Sequence, residues 1–158
     1  MTTFSTRNSL SLKTRKSSIE LLNQALADLS DLRSQTKQAH WNVKGMSFIA
    51  LHKLFDEFSA TLDEHIDSIA ERATALGGIA NGTVRMAAEA SKLPEFPAVH
   101  EGRAVVEALS ERYALAGESV RAAIDAATTA GDADTADLFT GVSTDLDKQL
   151  WFLEAHLQ

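Results

Sequence analysis

The stretch SFIALHKLFDEFSATLDEHIDSIAERATALGG (47–78) decides the fold, because its apolar residues follow the period of a long amphipathic helix. At about 100° per residue, these apolar positions share one sector of a helical wheel. They are Leu51, Phe55, Phe58, Leu62, Ile66, Ile69, Ala73 and Leu76. Ser47 can cap the start of the helix, and Gly77 with Gly78 ends it. The stretch therefore predicts a helix of about eight turns that buries one side in a core.

The same period predicts three more long helices. The first runs from a capping box, formed by Ser17 and Glu20, to about Lys44. The third covers about 101–130, and the fourth begins at Thr135 or a nearby Asp.

A long connection separates the second helix from the third. Residues 79–99 contain Gly82 and both prolines, so they leave room only for a short helix around 83–90. Four long helices and one short helix make the predicted fold class all-α, and the other connections between the long helices are short. The predicted fold is a ferritin-like four-helix bundle with one long crossover that carries a short helix.

Composition limits the chemistry of any site in the chain. The 158 residues contain no cysteine, so a metal would have to bind histidine and carboxylates. The net charge of −7 suits cationic partners. No segment approaches the roughly 20 apolar residues of a membrane span, and the start lacks the apolar run of a signal peptide. We therefore expect no membrane contact, and the absence of cysteine favours a cytoplasmic location.

The N-terminus departs from this acidic average. Four cations and no acid precede Glu20 in the sequence. The cations are Arg7, Lys13, Arg15 and Lys16. We expect residues 1–16 to form a flexible basic tail and residues 17–158 to form the bundle.

The helix at 47–78 carries a second stripe, away from its apolar side, whose residue types are those that bind metals. On the same wheel its members fall within about 100° of one another. They are His52, Asp56, Asp63, Asp67 and Glu71. His52 with Asp56, and Asp67 with Glu71, are each one turn apart, which lets two side chains reach one ion. The alternative is a solvated surface, although such a surface usually mixes lysine with acids.

The spacing within this stripe favours a site shared by two chains. Asp56 and Asp67 are 11 residues apart in the sequence, or about 16 Å along a helix. Metal ligands lie only about 2 Å from the ion, so the two pairs cannot bind the same ion within one chain. A second copy of the helix, running antiparallel across a two-fold axis, would complete two equivalent sites.

A metal site inside the bundle is disfavoured. Di-iron bundles use inward-facing Glu and Glu-x-x-His motifs. No Glu-x-x-His occurs in this sequence.

Nearly the whole chain from about residue 18 onward resembles the Dps family of mini-ferritins. The resemblance is carried by AHWNVKG (39–45), FIALHKLFDEF (48–58), LDEHIDSIAERATALGG (62–78) and DADTADLF…STDLDKQLWFLEAH (132–156). It implies a hollow homo-dodecamer with two-fold and three-fold interfaces. Such a shell oxidises Fe(II), preferably with hydrogen peroxide, and stores ferric iron.

The resemblance also implies which residues bind iron. His40, His52 and Asp56 would come from one subunit, and Asp67 and Glu71 from its two-fold partner. Asp56 and Glu71 would favour Fe(III), whereas His52 would retain Fe(II). His40 and Asp67 would hold a weaker second iron or support the ligands.

Three further roles follow from the resemblance alone. Trp41, next to His40, would have a redox role, although a tryptophan is more often a core or interface residue. Asp134 and Asp137 would line a three-fold pore, although acids at a helix start also offset the helix dipole. The basic tail would bind DNA non-specifically, unless Leu10 and Leu12 dock it onto the shell. The alternative function is thus a nucleoid-compacting shell with little ferroxidase activity.

Overall fold

A computed structural model describes residues 3–158, which form five α-helices and no β-strand. The helices are α1 (Leu12–Asn42), α2 (Phe48–Ala75), α3 (Val84–Ala90), α4 (Gly102–Ala130) and α5 (Ala133–Ala155). The predicted bundle of four long helices is confirmed, and α3 is the short helix of the crossover. No helix within residues 3–158 combines the length and the apolar character needed to cross a membrane.

Two helix starts follow the predicted residues. Asp132 precedes α5, and its side chain accepts a hydrogen bond from the Thr135 amide. Ser47 precedes α2, but its side chain makes no capping hydrogen bond. The predicted start of α1 at Ser17 was wrong. The helix begins five residues earlier, at Leu12, because Ser11 accepts a hydrogen bond from the Thr14 amide at 3.1 Å and the leucine, lysines and arginine that follow favour a helix.

The long helices pack in two close pairs, α1 with α2 and α4 with α5. The amide of Lys44 donates to His100 and its carbonyl accepts from Gly102, at 2.7 and 3.1 Å. The turn between α1 and α2 therefore lies beside the start of α4. Every predicted apolar position of α2 is buried except Ile66, which is half-buried against the same core.

Carboxylates of α1 hold the crossover in place. Asp28, which is 2% exposed, accepts a hydrogen bond from the Lys92 amide at 2.8 Å. Asp31 accepts one from the Ser91 hydroxyl at 2.7 Å, and Gln35 donates to the Pro94 carbonyl at 3.0 Å. These contacts fix the start of the return path to α4 on the α1 side of the bundle.

A buried carboxylate joins three helices at the end of the bundle opposite the turn between α1 and α2. Asp132 accepts hydrogen bonds from the hydroxyls of Ser18 and Thr135, both at 2.7 Å, and pairs with the Arg72 guanidinium at 2.7 Å. Burial alone would raise the pKa of Asp132, but these donors and the Arg72 charge outweigh it and hold the pKa below its usual value. Asp132 therefore stays ionised, and its stabilisation is lost only as the pH falls through this lowered pKa.

Asp132→Ala should lower the free energy of unfolding by about 3 kcal/mol, because it leaves the Arg72 guanidinium only its 3.7 Å contact with the exposed Asp134 and removes the acceptor of the Ser18 and Thr135 hydroxyls. Guanidinium unfolding at neutral pH measures the change. Asp134→Ala is the matched control, since the Asp134 side chain is 83% exposed on the same helix turn. An equal loss in both variants would contradict the assignment of Asp132 as the joint between the helices.

Candidate metal centre

Two histidines meet where α1 ends and α2 begins. Their rings stack with centroids 3.7 Å apart. Nδ1 of His40 lies 2.6 Å from the His52 carbonyl, and Nδ1 of His52 lies 2.9 Å from the His40 carbonyl. Because a carbonyl oxygen only accepts, both Nδ1 atoms donate a proton. In the neutral form of each ring the lone pair then lies on Nε2, the arrangement that supports a metal-binding histidine.

The connection between the helices sets this pairing. Val43 is fully buried and its amide donates to the Ala39 carbonyl, which closes the last turn of α1. Gly45 then adopts a φ of +110°, a conformation that L side chains rarely adopt, and reverses the chain. The two histidines are 12 residues apart in sequence and are held together by backbone contacts that require no metal.

Asp56 lies next to this pair and is bound by Lys37. The Lys37 ammonium is 2.6 Å from Asp56 Oδ1. The hydrogen bond and charge of Lys37, with smaller contributions from His40 and His52, hold the pKa of Asp56 below its usual range. The carboxylate is thus ready to bind a cation at neutral pH, but an ammonium already holds it.

Sequence analysis missed Lys37 as a site residue. Arg33 and Lys37 lie one turn apart on α1 and pair with Asp63 and Asp56 of antiparallel α2. Two cations one turn apart on α1 and two acids two turns apart on α2 were a usable signal. Asp63, a member of the stripe that is not among the proposed ligands, forms an ion pair with Arg33 at 2.9 Å.

Asp67 and Glu71 lie further along the same stripe and are exposed. Neither forms an ion pair with another residue of the 3–158 region. Within this region a single chain brings no three His, Cys, Asp or Glu side chains together in a metal-binding group. One chain therefore presents two separate sets of ligand types on one face of α2.

Comparison with known proteins identifies the family. Residues 19–158 match the ferritin-like domain family. A "DNA protection during starvation protein" of Agrobacterium fabrum is 46% identical over the whole chain and 98% of its own length. The chain belongs to the Dps family. DpsC from Streptomyces coelicolor superposes on it with a TM-score of 0.95, at 33% identity over 99% of this chain and 92% of that one. Mycobacterium smegmatis Dps gives 0.93, at 29% identity over 100% and 95%.

The candidate redox residue of this Dps chain lies at the edge of the site. Trp41 follows His40 and is 62% exposed in the single chain. The Lys37 ammonium lies 5.9 Å from the centroid of its ring. Lys37 thus lies between a candidate metal ligand and the candidate redox side chain.

The candidate pore acids stand at the start of α5. Asp134 and Asp137 are exposed, and Asp134 lies 3.7 Å from the Arg72 guanidinium. A three-fold pore needs three copies, so the pore stays a prediction. Two other histidines have structural contacts: His65 lies 2.9 Å from Asp145, and His156 bonds the Phe152 carbonyl.

The basic N-terminal segment is tied to the end of α2. The Phe4 amide donates to the Gly77 carbonyl at 2.7 Å, and Arg15 donates to the Leu76 carbonyl at 2.9 Å. Lys13, Arg15 and Lys16 belong to α1, because this helix begins at Leu12. The Arg7, Lys13 and Lys16 side chains remain exposed.

Proposed function

We propose that this Dps-family chain is an iron-oxidising and iron-storing mini-ferritin. Its substrate is Fe(II), which hydrogen peroxide or oxygen oxidises at dinuclear sites shared between subunits. The ferric product is stored inside a hollow shell of twelve subunits, and this limits oxidative damage to DNA and to the cell. The observation that carries the proposal is the stacked His40–His52 pair, whose Nδ1 atoms are bonded to backbone carbonyls, with Asp56 one turn along α2 from His52.

The geometry of α2 supports a site shared by two chains. The half-site at Asp56 and the half-site at Asp67 and Glu71 are about 16 Å apart along one rigid helix. A two-fold axis between two antiparallel copies of α2 brings each half-site against the other half of its partner. Each dimer then holds two equivalent sites, and six dimers would complete the shell.

The ligand types fit iron oxidation. Asp56 and Glu71 supply anionic oxygen, which stabilises Fe(III) more than Fe(II), while neutral histidine nitrogen retains Fe(II). Two Fe(II) ions lose one electron each, and one hydrogen peroxide takes up both electrons and two protons to give two water molecules. Two irons in one site therefore avoid the one-electron cleavage of peroxide that releases hydroxyl radical.

Other parts of the chain have supporting roles in this proposal. Trp41 supplies an electron when a site holds too few irons to complete the reduction of peroxide. Asp134 and Asp137, repeated by three-fold symmetry, attract Fe(II) into the shell. The shell works in the cytoplasm.

His52→Ala combined with Asp56→Ala should reduce Fe(II) oxidation to the rate of free Fe(II) in the same buffer. Stopped-flow absorbance after the addition of peroxide without oxygen measures the rate. Asp63→Ala combined with His65→Ala is the control, because it removes the same residue types from α2 outside the proposed ligand set. If the His52/Asp56 variant oxidised iron at the parent rate, the site would be misassigned.

The second candidate function is non-specific DNA binding, and two observations favour testing it. Relatives carry the name "DNA protection during starvation protein", and Arg7, Lys13 and Lys16 are exposed. The docked segment and the net charge of −7 per chain oppose strong binding.

Gly77→Ala should strengthen DNA retention, because a Cβ at this position would lie 2.6 Å from the Phe4 carbonyl and so release the N-terminal segment. A gel shift across a salt series measures it. Gly141→Ala, whose added Cβ meets open space, should behave as the parent does. Binding should vanish by a few hundred millimolar salt, and retention that resists salt or is equal in all three proteins would contradict this account.

A further inference from the structure

The face of α1 that lies beside the candidate site carries two cations. Lys37 pairs with Asp56 at 2.6 Å, and Arg33 pairs with Asp63 at 2.9 Å. The pairs have the same signs of charge and join the same two helices. Only the first of them uses a proposed iron ligand.

We propose that Lys37 is a built-in competitor for the iron site: its ammonium occupies Asp56 until a divalent metal displaces it. The proposal rests on the proposed function, because it assumes that Asp56 binds Fe(II). It makes Lys37 a residue that sets the affinity and selectivity of the site.

The position of Lys37 supports this role. Its side chain is only 20% exposed, whereas that of Asp56 is 60% exposed, so the ammonium is held against the protein while the carboxylate faces outward. The ammonium engages one carboxylate oxygen directly. A metal ion that approaches this oxygen to about 2 Å displaces the ammonium, and one that approaches the other oxygen of Asp56 meets the positive charge of Lys37 at close range.

A displaced ammonium has a second place to go. The Trp41 ring, with its centroid 5.9 Å from Nζ, offers an aromatic face that attracts a cation. Lys37 can therefore leave Asp56 by a small rotation of its side chain and still keep a favourable contact.

Replacement of the Lys37 ammonium at Asp56 favours divalent over monovalent cations. A monovalent ion gains little over the ammonium that it replaces, since both carry a single charge. A divalent ion gains twice the attraction to Asp56 and also binds the Nε2 atom of His52, the proposed Fe(II) ligand of the same half-site. Lys37 thus keeps the half-site closed to monovalent cations and open to ions such as Fe(II).

Calorimetric titration of the assembled protein with Zn(II) alone, which undergoes no redox change, tests the proposal. Lys37→Met should bind Zn(II) about tenfold more tightly than the parent, equivalent to about 1.4 kcal/mol. Lys37→Gln, a second variant without the charge, should agree. Lys37→Arg should stay near the parent, because a guanidinium can hold Asp56 as well.

Arg33→Met is the matched control, since it removes one positive charge from the same face of α1 but leaves Asp56 paired. It should change the affinity by less than about twofold, the part due to screened charge alone. Equal effects of Arg33→Met and Lys37→Met, or parent affinity in both uncharged Lys37 variants, would overturn the proposal.

Asp56→Ala separates this proposal from the proposed function. If Asp56→Ala abolishes Zn(II) binding at the site and Lys37→Met has parent affinity, only the role of Lys37 is wrong. If Zn(II) binds Asp56→Ala as it binds the parent, Asp56 is not a ligand, and both proposals fail.

Discussion

The rigidity of α2 is the constraint on which the rest of the account depends. A helix separates residues 11 positions apart by about 16 Å, and no side-chain rotation closes that gap. The ligand types at Asp56 and at Asp67 and Glu71 therefore belong to different sites in any arrangement of the chain. For a second copy to reach them, the stripe must lie outside the bundle, and it does: its four acids are exposed while the opposite side of α2 is buried.

Both ends of α2 are fixed by contacts that require no metal. At one end the stacked His40 and His52 rings bond each other's backbone carbonyls. At the other, Arg72 is held by the buried Asp132, which also starts α5. The helix thus presents its outer stripe in one orientation before any partner or ion arrives, and such preorganisation favours binding.

The sequence predicted the parts of the fold that depend on local pattern. The apolar period of α2, the turn at Gly77 and the short helix after Thr83 all appear where the residues indicated. The start of α1 was missed because Ser11 and Ser17 are both capping residue types. Local pattern does not choose between them. The packed structure shows that Ser18 lies within α1 and donates a hydrogen bond to Asp132.

Contacts between helices were beyond local pattern. Lys37 was missed because its pairing with Asp56 depends on the register of α1 against α2, which no single helical wheel contains. The docking of Phe4 and Arg15 at the end of α2 likewise joins residues more than 60 positions apart. The pore and the complete metal site each need other copies of the chain. The sequence of one chain therefore predicts which residues take part but not how they are arranged.

The most direct measurement of the central claim is complementation between two inactive variants. Subunits with His52→Ala and Asp56→Ala are unfolded, mixed in equal amounts with subunits carrying Asp67→Ala and Glu71→Ala, and reassembled. If each site takes one half from each chain, a mixed dimer regains one complete site, so random pairing restores about a quarter of the parent rate of Fe(II) oxidation. If the mixture stays as inactive as the two separate variants while it assembles normally, the site is not shared between chains and the account is contradicted.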